Sequence, residues 1–186
     1  MRVVPGCGVT YTGTEGARMA EPESWRDVYD DVLARLLACC RDVYGGRLVS
    51  VVVFGSVGRG TPRADSDIDL LIVGRDLPKG RLRRVEEFGQ VESRLGEALD
   101  GARLRGVNTR FSPVFKTPEE ARRGSPLFLD MVDDARLLHD DGGFFATLLD
   151  DFRQRLSRLG ARRIWRGDVW LWDLKPDFQP GDVFEL

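Results

Sequence analysis

Apolar positions along this chain fall into two kinds of run. Val28, Val32, Leu33, Leu36, Leu37 and Cys40 recur at the three- and four-residue spacing of one helix face. Ser24 stands where an N-cap belongs and Gly45-Gly46 where a helix stops, so the pattern predicts a helix between them. The period then disappears. Leu48 to Phe54 and Ile68 to Val73 are continuous apolar runs, which predict two strands covered on both faces or beside a buried site. After a loop from Gly74 to Gly80, Leu82, Val85, Phe88, Val91, Leu95 and Leu99 return to helical spacing and predict a second amphipathic helix. Alternation in Val107, Thr109 and Phe111 predicts a third strand from about Leu104 to Phe115, with Pro113 marking an edge or a bulge. Thr117-Pro118-Glu119-Glu120 reads as a helix start, with Thr at the N-cap, Pro at N1 and Glu at N3. Ser125-Pro126 reads as another, running through Leu127, Leu129, Met131 and Val132 towards Leu137-Leu138. Phe144 to Leu159 is a fourth helical segment. Beyond it, Arg163-Ile164-Trp165 and Val169-Trp170-Leu171-Trp172 flank Arg166-Gly167-Asp168 as a hairpin, and Pro176 and Pro180 keep the tail extended.

These elements predict an α/β fold: a small mixed sheet with helices packed on it, and a C-terminal hairpin appendage. Residues 1–20 show no sustained period and are expected to form a disordered tail. Met19, just before the first helix, reads as a second candidate start. Residues 21–140 are expected to form the core, and 141–186 a helix, an aromatic hairpin and a tail packed on it. No repeat, low-complexity tract or GxGxxG fingerprint appears, which argues against a dinucleotide fold.

Composition narrows the function classes. With 186 residues, 42% of them hydrophobic and 31% charged, the chain can bury a core of its own. A net charge of −2 gives no whole-molecule attraction to nucleic acid. Cys7, Cys39 and Cys40 are an odd set without metal spacing, and His139 is the single histidine. A zinc site and a disulfide framework are therefore not expected, and reduced thiols suit the cytoplasm. Cys40 shares the apolar helix face and is expected in the core, and His139 is read as a surface residue. No stretch reaches membrane-spanning length, so no membrane partner is expected. Arg81, Arg83, Arg84 and Arg94 read as a solvated helix face. Trp165, Trp170, Trp172, Phe178 and Phe184 read as packing or an interface in preference to a platform for bases.

The chemistry lies between the two apolar runs, in Gly55-Ser56-Val57-Gly58-Arg59-Gly60-Thr61-Pro62-Arg63-Ala64-Asp65-Ser66-Asp67-Ile68-Asp69. Side chains alternate along a strand, so Asp67 and Asp69 point one way while Ile68 and Leu70 point into the core. Two carboxylates side by side repel unless a cation sits between them, and hard oxygen ligands favour Mg²⁺. The glycines leave backbone N–H groups able to face an anion such as a phosphate chain. A phosphate cradle beside a metal clamp points to phosphoryl or nucleotidyl transfer. The competing reading, a solvated hairpin with acids facing water, explains the composition and leaves the order of the residues unexplained.

Gly55-Ser56, then Arg59-Gly60, then Ser66-Asp67-Ile68-Asp69-Leu70 resembles the signature of the DNA polymerase beta superfamily of nucleotidyltransferases. With no added polymerase domain it looks most like the minimal nucleotidyltransferase branch. The resemblance is specific over about Leu48 to Val73. It implies a polymerase beta-like fold and a Mg²⁺-dependent transfer of a nucleoside monophosphate from an NTP, ATP first among them, to a hydroxyl acceptor. It also implies that Gly55 and Ser56 hold the triphosphate and that Asp67 and Asp69 bind two metal ions and are catalytic. Ser66 joins the nucleotide site on the same ground. Arg59 is the better candidate to neutralise phosphate charge, with Arg63 an even choice between that and a solvated loop.

The family normally has a third carboxylate on a neighbouring strand. Here that stretch is Val107-Asn108-Thr109-Arg110-Phe111-Ser112, without an acid, and Ser112 or Asn108 falls at the position. Asp130, Asp133 and Asp134 read as surface charge on a helix. The resemblance also allows an antitoxin-type partner-binding protein that neutralises a HEPN-like toxin by binding or AMPylation, and a degenerate nucleotide sensor. A homodimer is left open.

Overall fold

The structure is a computed structural model that describes residues 24–166 and 169–179. The tail expected over 1–20, Cys7 and Phe184 lie outside the described residues, as do the side chains of Trp165 and Trp170. Helix α1 (Trp25–Tyr44) begins at Ser24, whose Oγ accepts from the Asp27 N–H at 3.3 Å, and ends at Gly45. Strand β1 (Leu48–Phe54) leads into a single helical turn, α2 (Gly55–Gly58), and β2 (Ile68–Gly74) returns antiparallel to β1. Next come α3 (Arg81–Arg94), α4 (Gly96–Leu104), β3 (Phe111–Lys116) and α5 (Pro118–Arg122). A 3-10 segment (Pro126–Asp130) precedes β4 (Arg136–Asp140), and α6 (Phe144–Arg158) precedes the hairpin of β5 (Arg162–Arg166) and β6 (Val169–Asp173).

The sheet order is β3-β2-β1-β4, with β2/β3 parallel and both other pairs antiparallel. Alternation along the two central strands sends their side chains into two separate cores. Val51, Val53, Ile68, Leu70 and Ile72 pack with Leu33 and Leu36 of α1, Phe88 of α3 and Ala102 of α4. Val52, Phe54, Leu71 and Val73 pack with Phe128, Phe145 and Phe152 on the opposite face. Strands buried on both faces explain the unbroken apolar runs. Cys40 is fully buried, as its spacing predicts, and Asp140 caps α6 by accepting from the Phe145 and Ala146 N–H groups. No helix among the described residues is long and apolar enough to cross a membrane.

Three expectations are corrected. The single helix from Leu82 to Leu99 is two, because the chain tightens at Leu95, whose N–H bonds Glu92 O, and restarts at Gly96 so that α4 can lie against α1. Leu82, in the first turn of α3, projects into solvent at 79% exposure. The strand expected from Leu104 starts at Phe111: Leu104 ends α4, and Gly106 turns the chain at φ +85°. Val107 and Thr109 are buried as their alternation indicated, but in a loop. The helix expected from Ser125 to Leu138 is a 3-10 segment, a turn and then β4, in which His139, half-buried, pairs with Val51. A short strand fed by a turn has too few residues to show a period of its own.

Pro113 does lie on an edge strand, paired with Leu70. The start of α5 is a full capping box, and its Glu120 also receives both Arg84 guanidinium nitrogens at 2.7 and 2.8 Å. The Arg84 hydrogen bonds, more than any other influence, hold the Glu120 carboxyl down to about 2. An unfolded glutamate titrates near ~4.3, so this link stabilises the fold fully above that pH and is lost as pH falls towards about 2. Acid titrations of melting temperature should therefore show an extra fall across that window in the wild type. Glu120→Gln should lack that component and start from a lower plateau; parallel curves would overturn the assignment.

Candidate active site

Phe54 ends β1 in an extended conformation, and Gly55 then turns the chain at φ +67°. Any other residue is strained there, and space forbids one as well. A Cβ on Gly55 would lie 3.2 Å from Cγ of Asp69 and overlap its Oδ2. The register pairs Phe54 with Asp69, so the second carboxylate of the Asp-x-Asp pair rests directly against the glycine backbone. Gly58 is confined similarly: a Cβ would meet Val53 O at 2.7 Å and Asp134 O at 3.0 Å. The turn continues through Arg59 N–H to Gly55 O and Thr61 N–H to Ser56 O, and Gly60 follows at φ +72°.

The loop from Thr61 to Asp67 is tied down from below. Ser66 Oγ accepts from Arg63 N–H at 2.9 Å, and the Ser66 carbonyl accepts from Tyr29 Oη and Thr109 Oγ1, each at 2.7 Å. Asp67 follows, half-exposed, with Arg110 Nε at 3.1 Å from its Oδ1. Asp69 has the parity of Leu71 and Val73 and so faces the α6 side of the sheet. Ser112 of β3 is its register partner and donates a hydrogen bond to its carboxylate. Ser112, of the two residues considered, therefore stands beside the pair; Asn108 is exposed in the loop, its N–H on Ala64 O.

Burial first, and then the charge of Asp67, push the Asp69 carboxyl above its ordinary range; Ser112 and Arg59 pull it back. Asp130, at the end of the 3-10 segment, adds to the upward push on Asp69 and is itself raised by burial. Here the structure corrects the sequence reading of these acids. Asp130 lies in a 3-10 turn on the Asp69 side of the sheet, and Asp134 is part-buried, 4.0 Å from Arg59 and 2.8 Å from Arg163 of β5. Asp133, with Arg163 at 3.9 Å, remains the outermost. The fold thus brings Gly55, Ser56, Arg59, Asp67, Asp69, Ser112 and Asp130 to one end of the sheet. Ser66 lies within the loop, and Arg63 is exposed on it.

Among the described residues no group of three His, Cys, Asp or Glu side chains is arranged to hold a metal ion. Asp67 and Asp69 alone still fit Mg²⁺, which is commonly held by one or two carboxylates with substrate phosphates and waters completing the octahedron. A part-buried carboxylate and a neighbour of like charge are the electrostatic condition that a divalent cation relieves.

Residues 33–117 match the family model of the nucleotidyltransferase domain. The matched stretch includes β1, the glycine turn, the Asp pair and β3. A protein of Methanocaldococcus jannaschii provisionally named a protein adenylyltransferase is 26% identical over 132 residues, covering 70% of this chain and 84% of the relative. Solved structures of similar shape include a toxin–antitoxin with AMP-PNP, at 19% identity, TM-score 0.41, 68% of this chain and 91% of that one. The toxin–antitoxin MntA–HepT matches at 17% identity, TM-score 0.40, 71% of this chain and 92% of that one.

Sequence reasoning missed Asp130, Tyr29, Thr109 and Arg110 as parts of this end of the sheet. Only the buried alternation of Val107 and Thr109 signalled any of them. The close approach of Gly55 yields a direct test. Gly55→Ala should cost about 1–3 kcal/mol for the backbone alone, before Asp69 is displaced. Gly46→Ala, with open space around its Cα, should stay within about 0.5 kcal/mol. Urea unfolding of the two variants decides, and an equal, small cost would contradict the described geometry.

Proposed function

We propose that this domain transfers a nucleoside monophosphate, AMP in the first instance, from an NTP to a hydroxyl acceptor, with Mg²⁺ held by Asp67 and Asp69. The observation that carries the reading is Gly55 seated against the Asp69 carboxylate, which puts bare glycine backbone directly beside a carboxylate pair. Gly55 and Ser56 face the triphosphate, Arg59 offsets its charge, and Ser66 contributes through the loop it pins.

The acceptor oxygen attacks the α-phosphorus, the new P–O bond forms, and the bond to the β-phosphate breaks with its electron pair leaving on pyrophosphate. Bound Mg²⁺ would supply charge neutralisation along the transferred phosphoryl group. Asp130, whose charge is felt at Asp69 and whose carboxyl is raised by burial, takes the acceptor proton in this reading. Ser112 orients Asp69 in place of the family's third acid and is no base itself. The raised carboxyls and part-burial of the site favour charge-dependent steps over those in open water.

The archaeal relative's name supports a protein as the acceptor. That favours, as second reading, the antitoxin-type alternative, in which a HEPN-like toxin is neutralised by binding or AMPylation.

Pyrophosphate release from each NTP, measured with a protein acceptor fraction, tests the first reading. Asp67→Asn with Asp69→Asn should lower it by orders of magnitude while circular dichroism stays unchanged. Asp130→Asn should reduce the rate by roughly 10²–10⁴-fold with little change in nucleotide affinity. Release that survives the double substitution would overturn the reading, and a mass increment of AMP on a captured protein would join the two readings.

A further inference from the structure

One carbonyl oxygen near the site is held far more tightly than its place in a loop requires. Ser66 O accepts from two side-chain hydroxyls, Tyr29 Oη and Thr109 Oγ1, each at 2.7 Å. Tyr29 comes from α1 beneath the sheet and Thr109 from the loop before β3, so two remote segments meet on a single atom. Tyr29 and Thr109 are 1% and 7% exposed. The Tyr29 hydroxyl lies 3.0 Å from Arg63 O as well, spanning the two carbonyls that open and close the turn. Beside this node, Asn108 N–H bonds Ala64 O at 2.7 Å and Ile68 N–H bonds Arg110 O at 2.9 Å. The 63–68 loop is thus fastened at four places, Arg63 O, Ala64 O, Ser66 O and Ile68 N.

Asp67 is the next residue. Its carbonyl-side neighbour Ile68 is locked in β2, and its amide follows the clamped Ser66 carbonyl, since both belong to one planar peptide unit. Fixing the Ser66 oxygen therefore fixes the plane from which the Asp67 Cα projects. On the solvent side, Asp67 is half-exposed and its Arg110 partner is 84% exposed. Surface ion pairs of that kind constrain little.

We propose that Tyr29 and Thr109 are positioning residues for Asp67, holding its carboxylate beside Asp69 through the shared Ser66 carbonyl so that the pair can bind a divalent cation. The inference rests on the metal reading of Asp67 and Asp69. It goes beyond that reading by assigning two hydroxyls from outside the signature a share in cation affinity. Outer groups that orient ligating carboxylates typically change metal affinity 10–100-fold.

The variants delete one donor at a time: Tyr29→Phe, Thr109→Val, and Thr109→Ser, which retains the hydroxyl. Ser50→Ala is the control. Ser50 is fully buried and donates to Asp140 at 2.7 Å, four residues down β1 from Phe54, so its loss taxes stability without touching the loop. Two measurements are made on the full chain: Mn²⁺ affinity by paramagnetic resonance, and amide exchange over residues 63–68.

Tyr29→Phe and Thr109→Val should weaken Mn²⁺ roughly tenfold or more and speed exchange at Ser66 and Ile68. Thr109→Ser should restore both, and Ser50→Ala should lower the melting temperature without changing either. Unchanged exchange in the deletion variants would show that no clamp exists. Faster exchange with unchanged Mn²⁺ affinity would leave a structural bond only and overturn the positioning role. An equal loss of affinity in Ser50→Ala would do the same. A wild-type chain that takes up no Mn²⁺ while its loop exchange responds as described would overturn the metal reading together with this inference.

Discussion

Asp69 can press its carboxylate against the chain only because Gly55 has no side chain and can turn at positive φ. That contact depends on the antiparallel register of β1 and β2, which sets Phe54 opposite Asp69. The register is held in turn by two hydrophobic layers, because a one-residue slip would exchange the α1-facing set, Val53 and Ile68, for the α6-facing set, Phe54 and Asp69. A polar site is therefore specified by apolar packing on both sides of the central strands. The site sits where that packing ends, at the head of the sheet.

Elements from both faces converge on this head. From below, α1 reaches the Ser66 carbonyl through Tyr29. From the opposite face, the 3-10 segment brings Asp130, and the turn after it lays the Asp134 backbone against Gly58. The C-terminal hairpin adds Arg163, bonded to Asp134, while Trp172 donates to Leu129 O in the same segment. Arg136 at the start of β4 pairs with Asp30 of α1, closing the far side of a 150 Å³ cavity that also touches Arg59 and Gly60. Acids and arginines thus alternate around the turn. Burial raises Asp69 and Asp130, and Arg59 works against that rise at both.

A larger cavity, about 570 Å³, lies elsewhere, along β3 beside Arg84 and Glu120. Its walls are the capping box of α5 and the edge strand, and it contains none of the signature residues. The glycine turn lines only the smaller of the two cavities.

Much of this was legible in residue order. The limits of α1 followed from Ser24 and Gly45, the two central strands from unbroken apolar runs, and the α5 start from Thr117-Pro118-Glu119-Glu120. Gly55, Asp67 and Asp69 stood out because a glycine turn and paired acids sit between two strands, a local arrangement that periodicity can frame. The break at Leu95, the loop at Val107–Arg110 and strand β4 were not legible. Their conformations answer to partners distant in sequence: α4 bends to lie on α1, Thr109 is buried to reach Ser66, and β4 is a strand because β1 offers it an edge. Asp130 illustrates the same division. Its sequence neighbourhood describes an ordinary acidic turn, and only folding the 3-10 segment over the Asp69 face gives it a raised carboxyl and a place in the site. Hydrophobic period and turn chemistry are encoded within a few residues and determined the framework of this protein. Which polar groups meet at the head of the sheet was decided by tertiary structure, because burial and charge proximity exist only after distant segments are packed together.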